Sequence, residues 1–214
     1  LIEMGVLKLK LTIAYDGYQY KGWQVQKSGI TVQQKIEEAL QKLFPSVDRV
    51  HSSSRTDTGV HARGMVAHVE IEKDEYRIGE LKLRLALNAF LPDDVSVLEV
   101  KRVPANFHAR FDATGKQYRY MIWNHPVSNP LTRHTSWHVS RNLDLAVMQK
   151  AAKYFIGSHD FRAFAVKREY EMRSTVRVVT NCRFYKKDSM ISENIFLILF
   201  SLLLSLELCR LKSL

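Results

Sequence analysis

The chain has 214 residues, 46% of them hydrophobic and 25% charged, which excludes disordered and fibrous classes and fits a soluble globular protein. Lys and Arg number 32 against 22 Asp and Glu, giving a net charge of +10 and favouring a polyanionic partner without requiring one. Two cysteines, Cys182 and Cys209, define neither a disulfide framework nor a zinc site, so a reducing cytoplasmic setting is expected.

Taken in order, Leu7, Leu9, Leu11 and Ile13 alternate with Lys8, Lys10 and Thr12, the pattern of a half-buried strand. Thr31 with Gln34 resembles a capping box, and Val32, Ile36, Leu40 and Leu43 follow at helical spacing until Pro45. Met65 to Ile71 alternates again as a strand. Glu80 to Phe90 reads as a second helix ending before Pro92, and Val95 to Val103 as a strand. The order then recurs. Gln117 to Trp123 is an aromatic-rich strand, and Pro126 and Pro130 mark a loop. Asn142 is expected to cap a helix whose Leu145, Met148, Ala152 and Phe155 face inward and which Gly157 ends. Arg173 to Lys187 is a long alternating strand. The apolar run Ile195 to Leu206 carries Ser201 and Ser205 and falls short of the roughly 20 residues that span a bilayer. No secretory leader pattern is found, so no membrane association is expected.

Strand–helix–strand units in two halves, 1–105 and 106–214, predict an α+β protein. The expected architecture is two ferredoxin-like halves sharing a mostly antiparallel central sheet, with helices on one face.

The densest polar cluster runs from Ser52 to Arg63, reading Ser-Ser-Ser-Arg-Thr-Asp-Thr-Gly-Val-His-Ala-Arg. Its composition suits a rigid functional loop. Arg55, His61 and Arg63 flank Asp57, and nearby cations keep a carboxylate ionised and able to act as nucleophile or base. A purely structural turn, with Asp57 and Thr58 capping local amides, is the competing reading. Asp-Thr-Gly is also the triplet of aspartic proteases, but those need two carboxylates sharing a proton, usually on apolar strands. Here the triplet occurs once, after polar and basic residues.

The segment Arg55-Thr56-Asp57-Thr58-Gly59-Val60-His61-Ala62 resembles the signature of the tRNA pseudouridine synthase A family, with Thr58 in a position usually held by alanine. Further blocks are similar, in the family's order: Tyr15-Asp16-Gly17 with Gly22-Trp23-Gln24, and Leu87-Asn88-Ala89 with Leu91-Pro92. Phe107-His108-Ala109-Arg110-Phe111, Tyr118-Arg119-Tyr120 and Gly157-Ser158-His159-Asp160-Phe161 complete the set. The resemblance implies an isomerase that breaks the bond from ribose C1′ to uracil N1 and rejoins the base through C5, with no metal or organic cofactor. It implies Asp57 as the obligatory aspartate, attacking sugar or base or removing a sugar proton. It implies Tyr118 packing on the target uracil and Arg55 assisting base extrusion. It also implies tRNA as partner, uridines 38, 39 and 40 of the anticodon stem–loop as targets, and a homodimer whose basic clefts each help hold one tRNA. The bland readings are a core tyrosine for Tyr118 and an ion-pair partner of Asp57 for Arg55.

Basic residues Arg162, Lys167, Arg168, Arg173, Arg177, Arg183, Lys186 and Lys187 outnumber Glu169 and Glu171, a balance that fits phosphate contacts or a solvated face. His134 and His138 are four apart with Trp137 between them, which suggests packing, and no metal site is assigned. The resemblance ends near Lys187. From Asn194 the chain turns Leu-rich and lacks the family's Met-Val-Arg helix, whose arginine faces the aspartate. A reading frame altered near Ser192, or a replaced tail, is the expected cause. A catalytically impaired RNA-binding protein is therefore the alternative function.

Overall fold

The computed structural model describes residues 5–164 and 174–198, and the chain divides into two compact units between Asp112 and Ala113. The expected α+β class holds. The ladders, among the described residues, form two sheets, one in each unit, where a single shared sheet was expected. The last strand of the first unit is followed at once by Pro104, which has no N–H to extend a ladder.

In the first unit the strands are β1 (Val6–Tyr15), β2 (His51–Ser52), β3 (Ala62–Glu72) and β4 (Val95–Val103), in sheet order β2-β3-β1-β4. β1 is central and runs antiparallel to both β3 and β4. Its Leu9, Leu11 and Ile13 are fully buried, as period-two alternation requires, and meet Ala67, Val69 and Ile71 of β3. A register shift between Thr12 and Ile13 leaves Leu98 of β4 unpaired. That extra residue changes which side chains face inward, so Val95, Val97 and Val100 are buried while Leu98 is 45% exposed. Helices α1 (Val32–Gln41) and α2 (Glu80–Phe90) set Val32, Ile36, Leu40, Leu83 and Leu87 into the same core, so both cover one sheet face. Thr31 caps α1 by accepting from the Gln34 N–H at 3.4 Å. The Gln34 side chain, however, bonds Glu38 on its own helix.

The second unit holds β5 (Gly115–Asn124), β6 (Trp137–Val139), β7 (Gly157–Asp160), β8 (Val176–Lys187) and β9 (Met190–Ile198), in order β6-β5-β9-β8-β7. All pairs are antiparallel except β5 with β6. The central strand is β9, whose end from Asn194 to Ile198 already belongs to the Leu-rich stretch. Residues 199–214, and with them the rest of the tail, lie outside the described residues. Helix α3 (Leu145–Ala152) is capped by Asp144, not Asn142: the Asp144 carboxylate accepts from the Val147 N–H at 3.0 Å. The helix starts two residues later than expected, and the nearer carboxylate takes the orphan amide. Leu145, Met148 and Ala152 face the core as expected, but Phe155 is 41% exposed. The turn Lys153–Phe155 is 3-10, and three residues per turn rotate that ring off the buried face. Gly157, with φ +115°, opens β7 rather than ending the helix. No described helix is long and apolar enough to cross a membrane.

Candidate active site

The polar loop joins β2 to β3 and is gripped along its length by residues 15–23, the segment that leaves the central strand β1. Thr56 is held at several points. Its Oγ1 shares a 2.8 Å hydrogen bond with the Tyr15 hydroxyl, and its carbonyl accepts from the Trp23 N–H at 3.0 Å. Gly22, with φ +85°, lies so close that a Cβ there would stand 2.4 Å from the same carbonyl oxygen. Further on, the Gly59 N–H donates to the Tyr20 carbonyl at 3.2 Å, and a Cβ on Gly17 would stand 2.0 Å from the Val60 carbonyl oxygen. Only glycine fits at either position.

Asp57 begins a tight turn in which its carbonyl accepts from the Val60 N–H at 3.2 Å. Gly59 has φ +77°, the conformation that the third residue of such a turn favours glycine for. Asp57 is half-buried, and Arg55 and Thr58 are exposed. His61, expected as a cation flanking Asp57, has Nδ1 at 2.9 Å from the Asp16 carboxylate and 3.2 Å from the Gly17 N–H. One ring nitrogen cannot serve both at once. Bare, it accepts from Gly17; protonated, it donates to Asp16. Arg63 is exposed at the start of β3.

The gripping segment is itself fixed from below. Trp23 is 1% exposed and lies beside Tyr15 with ring centres 6.1 Å apart. Burial raises the Tyr15 hydroxyl pKa to about 12, against the lowering effect of its bond to Thr56, so it stays protonated at neutral pH. Tyr20 donates to Asp94 at 2.6 Å, and burial together with that carboxylate raises its pKa further. Asp16 accepts from the Tyr18 N–H at 3.0 Å, and its own N–H donates to the Asp94 carbonyl.

On the other side of β3, His68 is buried and stacks on His51, with the His108 ring edge-on at 4.7 Å. Its Nδ1 accepts from the Ala109 N–H at 3.1 Å, and Lys8 donates to the Phe107 carbonyl at 3.1 Å. The block Phe107–Phe111 is thereby docked on the sheet. Burial, then the charges of His108, His51 and Lys8, lower the His68 pKa to about 4, so it sits neutral in the stack. Among the described residues no three His, Cys, Asp or Glu side chains gather as metal ligands would.

Tyr118 lies on β5 of the second unit, half-buried against the cluster of Ala152, Val179 and Cys182. Arg177, read from the sequence as a phosphate contact or part of a solvated face, is 8% exposed and donates to the Ser174 and Val176 carbonyls. Burial lowers its pKa. Its position on β8 puts it on the inward side with Val179, a parity the sequence alternation already contained. Arg183, Lys186 and Lys187 are exposed, as is Arg162. Lys167, Arg168, Glu169, Glu171 and Arg173 lie outside the described residues. His138 meets the His125 carbonyl at 2.8 Å, and Trp137 is 40% exposed, so it does not pack inward as expected.

A family model described as tRNA pseudouridine synthase matches residues 11–112, most of the first unit with its loop and both gripping glycines. The tRNA pseudouridine synthase A of Ruminiclostridium cellulolyticum is 47% identical over 186 residues, covering 86% of this chain and 74% of that protein. The protein of the same name from Methylacidiphilum infernorum is 38% identical over 194 residues, covering 91% and 75% respectively. The one from Acetivibrio thermocellus is 42% identical over 183 residues, covering 86% and 73%. The chain belongs to the tRNA pseudouridine synthase A family. Membership in that family removes the protease reading of Asp57-Thr58-Gly59. The contacts of the loop join two blocks that the sequence shows only as separate motifs, since Tyr15-Asp16-Gly17 and Gly22-Trp23 hold the aspartate loop. Sequence spacing does not predict that contact across some forty residues; Gly17 and Gly22, enclosing Tyr18 and Tyr20, were the available signal.

Proposed function

We propose that this chain isomerises uridine to pseudouridine in tRNA, with Asp57 as the reacting carboxylate. The observation that carries the reading is the half-buried Asp57 on a loop pinned at Thr56, Gly59 and Val60, in a chain of this family. Preorganisation of that kind suits a reaction in which a single carboxylate must meet one nucleotide in one orientation. The conversion breaks C1′–N1, forms C1′–C5, moves the C5 proton to solvent and leaves N1 protonated, so no external reagent is consumed. Asp57 serves it as nucleophile or base.

Tyr118 offers an aromatic face for an unstacked uracil, and base–aromatic stacking is typically worth about 1–3 kcal/mol. Exposed Arg55, two residues before Asp57, is long enough to fill the space that an extruded base leaves. The net charge of +10 favours the tRNA backbone. Uridines 38, 39 and 40 are the proposed targets, in the cytoplasm, by a homodimer. No observation in the described residues favours the impaired-binder alternative over catalysis. Incubation with unmodified tRNA transcript, followed by carbodiimide mapping, tests the reading. Pseudouridine at those positions is expected, and tRNA binding without any pseudouridine would leave only a binding protein. Light scattering tests the dimer: a monomer mass at micromolar concentration would remove it.

A further inference from the structure

We infer that the Tyr15 hydroxyl is a positioning group for the reaction, setting the orientation of Asp57 through its hydrogen bond to Thr56. The inference rests on Asp57 being the reacting carboxylate.

Tyr15 closes β1, the central strand of the first unit, where ladders to β3 and β4 flank it on both sides. Its ring is 4% exposed and abuts the buried Trp23, so the ring has little freedom to swing. The hydroxyl at its tip therefore stands at a point fixed by the most constrained strand of the unit. It meets Thr56 Oγ1 at 2.8 Å. Burial raises the pKa of this phenol, so it stays neutral throughout the neutral range, and either hydroxyl can donate in the bond.

Thr56 is the residue immediately before Asp57, and three different restraints converge on it. The Trp23 N–H holds its carbonyl at 3.0 Å, and the neighbouring Gly22 packs so closely on that oxygen that a Cβ there would stand 2.4 Å from it. These two fix where the Thr56–Asp57 peptide lies. Rotation about the Thr56 backbone, which would swing the Asp57 side chain, is opposed by the third restraint, the Tyr15–Thr56 bond. It is the one restraint of the three made between two side chains, so it can be removed without touching the backbone contacts. Reacting groups must be aligned closely, and a misplacement of about 1 Å can cost on the order of 100-fold in rate. The buried Tyr15 hydroxyl acts on the reaction only through Thr56.

The test uses the full chain with Tyr15→Phe, Thr56→Val, Thr56→Ser and the double variant Tyr15→Phe/Thr56→Val, beside Asp57→Asn. Single-turnover pseudouridine formation, tRNA binding and thermal midpoint are measured for each. Tyr15→Phe and Thr56→Val should each slow the chemical step about 10- to 100-fold, with tRNA affinity within about two-fold. The double variant should be no slower than the worse single variant, because both remove one bond. Thr56→Ser keeps the hydroxyl and should restore most of the rate at a lowered thermal midpoint, a separation that a purely structural role would not give. Wild-type rates in Tyr15→Phe, multiplied losses in the double variant, or a Thr56→Ser rate as low as Thr56→Val would each overturn the inference. An active Asp57→Asn variant would instead refute the reading beneath it, whereas an inactive one beside a fully active Tyr15→Phe refutes the positioning role alone.

Discussion

Gly17→Ala should disable the enzyme from a position that need not touch the RNA. A methyl group there would stand 2.0 Å from the Val60 carbonyl oxygen and 2.5 Å from its carbon. Ordinary contact begins near 3.4 Å, so the carbonyl has to retreat by 3.4 − 2.0 = 1.4 Å, and backbone rather than a flexible side-chain tip must move. The Val60 N–H closes the turn on the Asp57 carbonyl, so the retreat is passed to Asp57. A shift of that size costs on the order of 100-fold in rate, equivalent to about 2.7 kcal/mol in the barrier. Overpacking should lower stability by about 1–3 kcal/mol as well. Gly59→Ala is the matched comparison. Its φ of +77° carries a backbone cost of about 1–2 kcal/mol, but a Cβ there meets nothing within 4 Å. Both variants should therefore lose stability, and Gly17→Ala should lose far more activity. Single-turnover rates on an anticodon stem–loop RNA, taken well below both thermal midpoints, decide. A Gly17→Ala rate within two-fold of wild type, or equal losses in the two variants, would refute the reasoning.

Tyr118→Ala should lose most activity while Tyr118→Phe keeps tRNA binding and the stacking face; equal rates in Tyr118→Ala and wild type would make the residue a core tyrosine only. Arg55→Ala should slow conversion of a base-paired target uridine more than an unpaired one, because extrusion costs a few kcal/mol and least when the base is already free; equal losses on the two RNAs would leave Arg55 an electrostatic partner. Stability should fall with acid through His68. Its folded pKa of about 4 lies below the ordinary 6.5, so the unfolded chain takes up the proton first. The contribution is present above about pH 6.5 and is lost progressively as pH falls towards 4, to a limit of about 3 kcal/mol. Denaturant titrations from pH 7 to 4 should show that slope reduced in His68→Gln, and an unchanged slope would remove His68 as its source.

Much of this fold is legible in the sequence because period-two alternation and helix caps are local signals. Leu9, Leu11 and Ile13 announce β1, and Thr31 announces α1. Where two signals compete, local reading falters. Asn142 and Asp144 are both good caps, and only the position of α3 selects Asp144. Phe155 fits a helical face until the chain tightens into a 3-10 turn. The aspartate loop stands out through its composition, but what holds it does not. Tyr15, Gly17, Gly22 and Trp23 reach it across the fold, and no spacing rule connects residues so distant in the chain. Arg177 likewise reads as one of many surface cations until burial singles it out.

Asp57 is the proposed reacting carboxylate. Asp57→Asn keeps the shape of the side chain and removes its charge and nucleophilicity, so it isolates the carboxylate from the loop that carries it. The measurement is carbodiimide mapping of pseudouridine on unmodified tRNA, with tRNA affinity determined on the same preparation. No pseudouridine is expected after prolonged incubation, with affinity within a few-fold of wild type. Turnover by Asp57→Asn at near wild-type rate would contradict that role.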